Sequence, residues 1–404
     1  MGRKVYAIAG HWGYVQTDPM GITSFRYNEE SGELEPLETV REDIISGQMC
    51  IDETRGMIYV VNEIGHIRGD LGGGGYVHAF RIDPETGKLE HVSERRTLSP
   101  EPCYVTLDAS GAYLLVSHNS DPYHVTKIQK KENGEFTSET VYDDTALDLF
   151  RVNEDGSLGE LCDVSIMPCC GAADPRSESY VHPVSGHIMH IHVISRLHSV
   201  TCNADSSLYA VCDRGMNRVY TYQLDRAEGK LIQKHFISEY EGKKEDALSP
   251  RYSVFHPRLP YLYVNSERVP VVLVYRWDPE GNLTRLQRIS AVFDPASVTS
   301  GCNDILMHPD GTFLYCTCMP RTISVFAIRD DGLLDLKYNI DCGGEYPRTI
   351  CFSPDGRYLF SGNNHSGTIT SFRVEKDGFL TDTGKRFPSV HTSVLRFIRT
   401  DANE

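Results

Sequence analysis

Three pairs of residues share one spacing: His198 and Arg214, Arg251 and Glu267, and Arg348 and Asn364 each stand sixteen positions apart. Imidazole and carboxylate are the groups that move protons, and a guanidinium holds anions and stays charged at every ordinary pH. Several arginines around a histidine form a pocket for a carboxylate or a phosphate, because the guanidinium fork matches those groups in shape and charge. The chemistry exists only if the chain folds these pairs to one place.

Each pair flanks the same unit. Pro347-Arg-Thr-Ile-Cys-Phe-Ser-Pro-Asp-Gly-Arg-Tyr-Leu-Phe-Ser-Gly-Asn363 reads as a short alternating strand, a Pro-Asp-Gly turn and a second strand. Thr368-Ile-Thr-Ser-Phe-Arg-Val374 and the segment after Gly378 add two more strands. The unit recurs around His308-Pro-Asp-Gly311, His256-Pro257, Asn203-Ala-Asp205, Asp108-Ala-Ser-Gly111 and Asp52-Glu-Thr-Arg-Gly56. Four short strands with turns between them make a propeller blade, so six blades align directly. Val5 to Ala9 and Gly21 to Phe25 read as two strands of a seventh, whose missing first strand is Thr392-Ser-Val-Leu-Arg-Phe-Ile398. The expected fold is all-β: a seven-bladed β-propeller, one domain over residues 1–404, closed by pairing the N- and C-terminal strands in one blade. Such closure removes two exposed sheet edges. Roughly forty extra residues, from about Leu149 to His190, are expected as an insertion between the third and fourth blades, with a hairpin at Asp148 to Leu161.

In each blade the first strand runs to the turn and the second returns, so the residue before one and the residue after the other meet on one rim. Counting eight positions either way from the turn glycine pairs Gln48 with Ile64, Cys103 with Asn119, His198 with Arg214, Arg251 with Glu267, Asn303 with Met319, and Arg348 with Asn364. Glu63, His118, Asp213, Arg218, Asp304, Arg321 and His365 fall near the same rim. Plainer roles compete: Asp213, Asn363 and Asn364 suit turns, Arg214, Arg218 and Arg321 suit solvated loops, His198 suits a structural hydrogen bond, and Arg251 with Glu267 suits a strand-end salt bridge. The placement of all of them on one face favours a site.

Composition narrows the partners. With 40 basic and 56 acidic residues the chain carries a formal charge of -16, which opposes nucleic acid and anionic lipid. An anionic substrate therefore needs locally converging arginines. No apolar run approaches the ~18 residues of a membrane helix, and the stretch from Val5 to Ala9 is too short for a secretory signal. Twelve scattered cysteines fit a reducing cytosol better than a disulfide framework. Cys316 and Cys318 share a strand face and lack the C-x-x-C spacing of a structural zinc site, as do Cys169 and Cys170. His187, His190 and His192 have no carboxylate at a ligand spacing, so no metal and no other cofactor is expected. Oligomeric state leaves no trace in the sequence.

The unit Pro-Arg-x-φ-x-φ-x-Pro-Asp-Gly-Arg-x-Leu, where φ is apolar, and the outer turn Asp83-Pro-Glu-Thr-Gly-Lys-Leu89 resemble the bacterial 6-phosphogluconolactonase and fungal carboxymuconate-lactonising family of seven-bladed propellers. Tyr59-Val-Val-Asn-Glu63, Pro102-Cys103, Leu197-His-Ser-Val200 and Pro250-Arg251 carry the likeness, which runs from Tyr6 to Phe397. The resemblance implies catalytic roles for His198, Arg251 and Glu267: His198 as base for the attacking water, Arg251 on the oxyanion, and Glu267 orienting Arg251 or exchanging a proton with the leaving alkoxide. Arg196, Arg214, Arg321, Arg348 and His118 are expected to bind a small anionic lactone or carboxylate. Ser195-Arg-Leu197 replaces the family's usual Pro-His pair, Ser266 its usual Asn, and Cys316-Thr-Cys-Met-Pro-Arg321 its usual Asn-Arg. These departures leave lactonising cycloisomerisation of an unsaturated dicarboxylate, and ligand binding without catalysis, open beside lactone hydrolysis.

Overall fold

The computed structural model describes residues 4–13, 20–65, 73–120, 124–167, 178–181, 188–191, 194–240 and 247–400. Alternating strands bounded by Asx, Pro and Gly turns form seven four-stranded antiparallel sheets. In blade 7 the strands run outward in chain order as Pro347–Phe352, Tyr358–Asn363, Thr368–Val374 and Leu380–Pro388, and blades 2 to 6 follow the same order. Blade 1 is built from both ends of the chain. Its inner strand Thr392–Thr400 pairs with Lys4–His11, from Lys4 opposite Thr400 to His11 opposite Thr392. The expected ring closure is present.

The inner strands Ser46–Asp52, Pro102–Leu107, Leu197–Cys202, Pro250–Phe255, Cys302–Met307, Pro347–Phe352 and Thr392–Thr400 each contact those of both flanking blades. The core accordingly lies between sheets. Val5, Ala7 and Phe25 of blade 1 pack on Phe360 and Ile369 of blade 7, and Val272 and Val274 of blade 5 on Leu314 and Phe326 of blade 6. A tyrosine on a second strand repeatedly ties its blade to the outer turn of the next. Tyr59, Tyr263 and Tyr315 donate to the carbonyls of Gly156, Gly332 and Gly378 at 2.8–2.9 Å. Each is a buried hydroxyl whose alternative is an unsatisfied donor, so the tie also sets the angle between blades.

The third blade corrects the expected insertion. Thr145–Val152 and Leu158–Met167 are its third and fourth strands, so the hairpin expected at Asp148 to Leu161 belongs to the blade itself. Ala146, Leu147, Leu149 and Phe150 are buried, which makes this a core element rather than the start of a loop. The insertion between blades 3 and 4 therefore begins only after Met167, and extra chain also appears earlier, as a ribbon of His124–Lys130 with Phe136–Tyr142 between the blade's second and third strands. A second small ribbon pairs Glu178–Val181 with Ile188–Ile191. Cys169, Cys170, His187 and His192 lie outside the described residues.

Candidate active site

One piece of backbone geometry builds the rim. Near the start of the inner strand the register slips, as between Pro250 opposite Ser266 and Ser253 opposite Val264, or between Pro347 opposite Asn363 and Thr349 opposite Gly362. A bulge of this kind bends the strand and re-aims the side chain it carries. The residue after the second strand then donates its N–H to a carbonyl just ahead of the first. Arg214 bonds to Arg196, Glu267 to Ser249 and Asn364 to Tyr346, each at 2.9 Å, and Glu63 to Ile45 at 2.8 Å. Trp12 closes the series on His391 at 2.9 Å. Arg214, Glu267, Asn364, Glu63 and Trp12 are therefore equivalent positions around one opening, and His198, Arg251 and Arg348 occupy the matching places on the inner strands.

This ladder moves one pair. Ser46 opposite Asn62 makes Glu63, not Ile64, the rim residue of blade 2, with Gly47 rather than Gln48 facing it. The turn Asp52-Glu-Thr-Arg-Gly56 carries its glycine one place later than Ser353-Pro-Asp-Gly356, so counting from glycine overshoots by a residue. The side chain of Gln48 is occupied elsewhere, accepting from Arg396 Nη2 at 3.0 Å.

Around Glu267 the rim is a tight cluster. Arg214 Nη1 donates to both carboxylate oxygens at 2.5 and 2.6 Å, Arg251 Nε lies 3.3 Å from Oε2, and His198 Nε2 lies 4.0 Å from Oε2. Arg251 is also held by its Nη1 donating to the Asn303 carbonyl at 2.6 Å and by stacking on the Tyr252 ring, 4.3 Å from the centroid. Burial alone pushes the Glu267 carboxyl up, but Arg214, Arg251 and His198 together outweigh it and hold the group well below the ordinary carboxylate range. Burial first, then Arg251 and Arg214, holds His198 well below its ordinary value, so it is an uncharged imidazole. Among the described residues its buried Nδ1 has no hydrogen-bond partner.

On another arc of the opening Arg348 stacks on Trp12, 4.3 Å from the ring, and reaches toward Glu63, with Nη2 3.9 Å from Oε2. Burial raises the Glu63 carboxyl to about 7 against the opposing pull of Arg348. A Cβ at Gly47 would stand 2.6 Å from Glu63 Oε2, so glycine there makes room for the carboxylate.

Other expected site residues lie elsewhere. Arg321 is an exposed ion-pair partner of Asp341 at 2.9 Å and Glu345 at 3.4 Å, on the outer side of its blade. His118 is fully buried within blade 3, Nδ1 2.7 Å from the Ala146 carbonyl and Nε2 3.6 Å from Asp148. Both stand near the rim in sequence, but strand alternation turns His118 into the blade, and Arg321 pairs with Asp341 and Glu345 instead. Arg196 is buried at the rim with its carbonyl on Arg214 N and its stem against Gly215. Asp213 takes the turn role, accepting from Ser195 Oγ and the N–H groups of Arg196, Gly215 and Met216. Cys103 Sγ donates to the carbonyls of Leu197 and His198, and burial pushes its thiol well up, so it is no nucleophile. Cys302, distant in sequence from Cys316 and Cys318, joins them in one buried cluster inside blade 6. The channel's opposite half holds a cavity of about 490 Å³ lined by Tyr104, Thr106 and Arg396. Arg396 there bonds to Gln48 and the Leu395 carbonyl.

Closed ring and charged opening define a seven-bladed β-propeller whose channel mouth carries guanidinium, carboxylate and imidazole groups together. The chain belongs to the family described as Lactonase, 7-bladed beta-propeller, whose model it matches over residues 8–397. It is similar to the 6-phosphogluconolactonase of Bacillus subtilis (strain 168), 25% identical over 313 residues and 76% of each chain. It is also similar to the 6-phosphogluconolactonase of Formosa agariphila, 25% identical over 371 residues and 90% of each chain. The solved periplasmic gluconolactonase of Pseudomonas aeruginosa superposes with a TM-score of 0.76 at 23% identity, covering 98% of this chain and 99% of that one.

Proposed function

We propose that this protein hydrolyses a sugar lactone bearing an anionic group, with 6-phosphogluconolactone as the first substrate to test, at the rim formed by His198, Arg214, Arg251, Glu267 and Arg348. The observation that carries the reading is the convergence of three arginines on a buried opening of a chain whose formal charge is -16. The names of the Bacillus and Formosa relatives support the same substrate class. Arg214 and Arg251 bind the anionic group and stabilise the oxyanion that forms when water adds to the lactone carbonyl. Glu267, held in its ionised form at neutral pH, keeps those two guanidiniums in place. The arc occupied by Arg348 also suits a second carboxylate, which is the requirement of the lactonising direction on a dicarboxylate. Acid release from 6-phosphogluconolactone above the spontaneous rate tests hydrolysis, and its absence together with turnover of an unsaturated dicarboxylate favours the second direction.

Arg251→Met is expected to lower kcat/KM about a hundredfold or more, the loss typical of removing one oxyanion donor. Rate and melting temperature measured together check it: a folded variant as fast as the parent moves the oxyanion site elsewhere. The reaction is assigned to protein side chains rather than to a bound metal, so exhaustive chelation is expected to leave the rate unchanged; loss restored by one specific metal would refute that assignment.

A cytosolic setting completes the proposal. The ten described free cysteines suit a reducing compartment, whereas the Pseudomonas neighbour is periplasmic. Among the described residues no helix is long and apolar enough to cross a membrane. Fractionation of the native host decides between the compartments.

A further inference from the structure

Lactone hydrolysis needs a group that takes a proton from water and returns it to the departing ring oxygen. Neither partner in the Glu267 cluster suits that task. Glu267 has two guanidiniums and an imidazole within 4.0 Å, so its carboxylate stays ionised and is a poor acid at neutral pH. His198 is held uncharged by burial first and then by the same two arginines, which leaves it in the accepting form but makes it a weak base. Two acidic groups in different surroundings commonly divide such roles, and the second acidic group on this rim is Glu63.

We infer that Glu63, at the position of blade 2 equivalent to Glu267, is the proton-transferring residue of this site, facing the mouth over Gly47 and steadied by Arg348. The inference rests on the lactonase reading and assigns within it a role that His198 was expected to play. Its geometry is specific. The Glu63 N–H is fixed on the Ile45 carbonyl at 2.8 Å. Its side chain is 9% exposed, and among the described residues its ion-pair partner is Arg348 at 3.9 Å, a longer contact than any guanidinium makes with Glu267. The charged groups that act on it from neighbouring elements are Arg348 from blade 7, Glu101 from the segment before the inner strand of blade 3, Arg251 from blade 5 and Arg214 from blade 4. The Cys103 thiol of blade 3 also faces it and stays protonated. Two of these arginines belong to the Glu267 cluster, which places Glu63 across the same opening from the proposed oxyanion donors. The carboxyl titrates at about 7, so both its forms are present at physiological pH.

The step balances as follows. Ionised Glu63 takes a proton from water as the water oxygen bonds to the lactone carbonyl carbon, and the carbonyl oxygen becomes an oxyanion against the arginines. The ring carbon–oxygen bond breaks as the carbonyl reforms, and protonated Glu63 gives its proton to the departing ring oxygen. The product is a hydroxy acid, whose new carboxyl group loses a proton to solvent, and Glu63 is ionised again.

The test is the pH profile of kcat/KM for 6-phosphogluconolactone, corrected for spontaneous hydrolysis, in the wild type, Glu63→Gln and Arg348→Gln. A base that must be ionised gives a wild-type rate that rises with pH through about 7. Glu63→Gln is expected to lose about a hundredfold or more and the rising limb with it. Arg348→Gln removes the cation that favours the ionised form, so its limb is expected to move to higher pH. That shift is a readout that weaker substrate binding alone does not produce, and it serves even where Glu63→Gln fails to fold. Glu63→Gln turning over with the parent's rate and profile, or an Arg348→Gln limb that stays in place, overturns the inference while leaving the lactonase reading intact. A folded wild type that never exceeds the spontaneous rate overturns the lactonase reading itself and the proton-transfer role with it.

Discussion

A chain ending at Pro388 is expected to show no cooperative unfolding transition at 25 °C and to collect in the insoluble fraction. The deletion removes the strand Thr392–Thr400, which is the inner strand of blade 1 and pairs along the whole of Lys4–His11. Val394, Leu395, Phe397 and Ile398 are buried on it, shared between the contacts with blade 2 and those with blade 7. Full burial of such side chains contributes about 1.5–3 kcal/mol each, so four of them approach the 5–15 kcal/mol by which domains are ordinarily stable. The cut also uncovers the edge of Lys4–His11 and one flank of blade 7, and open apolar edges pair with other chains. Circular dichroism melts and solubility after expression check this. A truncated chain that melts like the parent would show that the ring does not depend on its closing strand.

Glu267→Gln is expected to lower stability by about 3–5 kcal/mol, whereas Glu63→Gln is expected to raise it above pH 7. At Glu267 the substitution leaves Arg214 and Arg251 buried beside a neutral amide, and removing one partner of a buried ion pair costs in that range because the other charge remains. For 404 residues that corresponds to a fall in Tm of roughly 4–6 °C. An exposed rim pair would contribute about 1 kcal/mol at most. The pair is therefore expected to matter to the fold as well as to the proposed reaction. The depressed folded value of Glu267 means that its contribution is present above the ordinary carboxylate range and is lost as pH falls toward the folded value. The deficit of the variant should therefore shrink on acidification.

Glu63 has the opposite sign. Its folded value of about 7 lies above the ordinary 4.5, so between those values the folded chain holds a proton that the unfolded chain has released. Stability falls as pH rises through that window, and keeping Glu63 ionised above it costs about 3 kcal/mol. Glu63→Gln removes the cost. Chemical denaturation at pH 5 and pH 8 separates the two variants. A Glu63→Gln chain no more stable than the parent at pH 8 would mean that Glu63 is solvated after all.

Several features were legible without coordinates. Pro-Asp-Gly and its relatives fall at regular intervals between alternating apolar runs, and each unit specifies its own strands through local turn chemistry and a period of two. The incomplete unit at Val5 and the isolated strand at Thr392 then have one arrangement that satisfies both edges. His198, Arg251, Glu267 and Arg348 could be placed on one rim because spacing within a hairpin is preserved when the hairpin folds.

What the sequence obscured depended on exact register or on partners from other blades. A turn glycine one place late hid the equivalence of Glu63 to Glu267. The outer strands of blade 3 looked like insertion because the ribbon His124–Lys130 and Phe136–Tyr142 interrupts the repeat ahead of them. The sequence by itself determined the blade, the number of blades, the closure and the face on which the charges gather, since all of these follow from short-range periodicity repeated along the chain. The tertiary structure alone decided which carboxylate guanidiniums hold in its ionised form and which burial raises to about 7. That distinction arises from burial and from guanidiniums contributed by other blades, and neither quantity is encoded within any single hairpin.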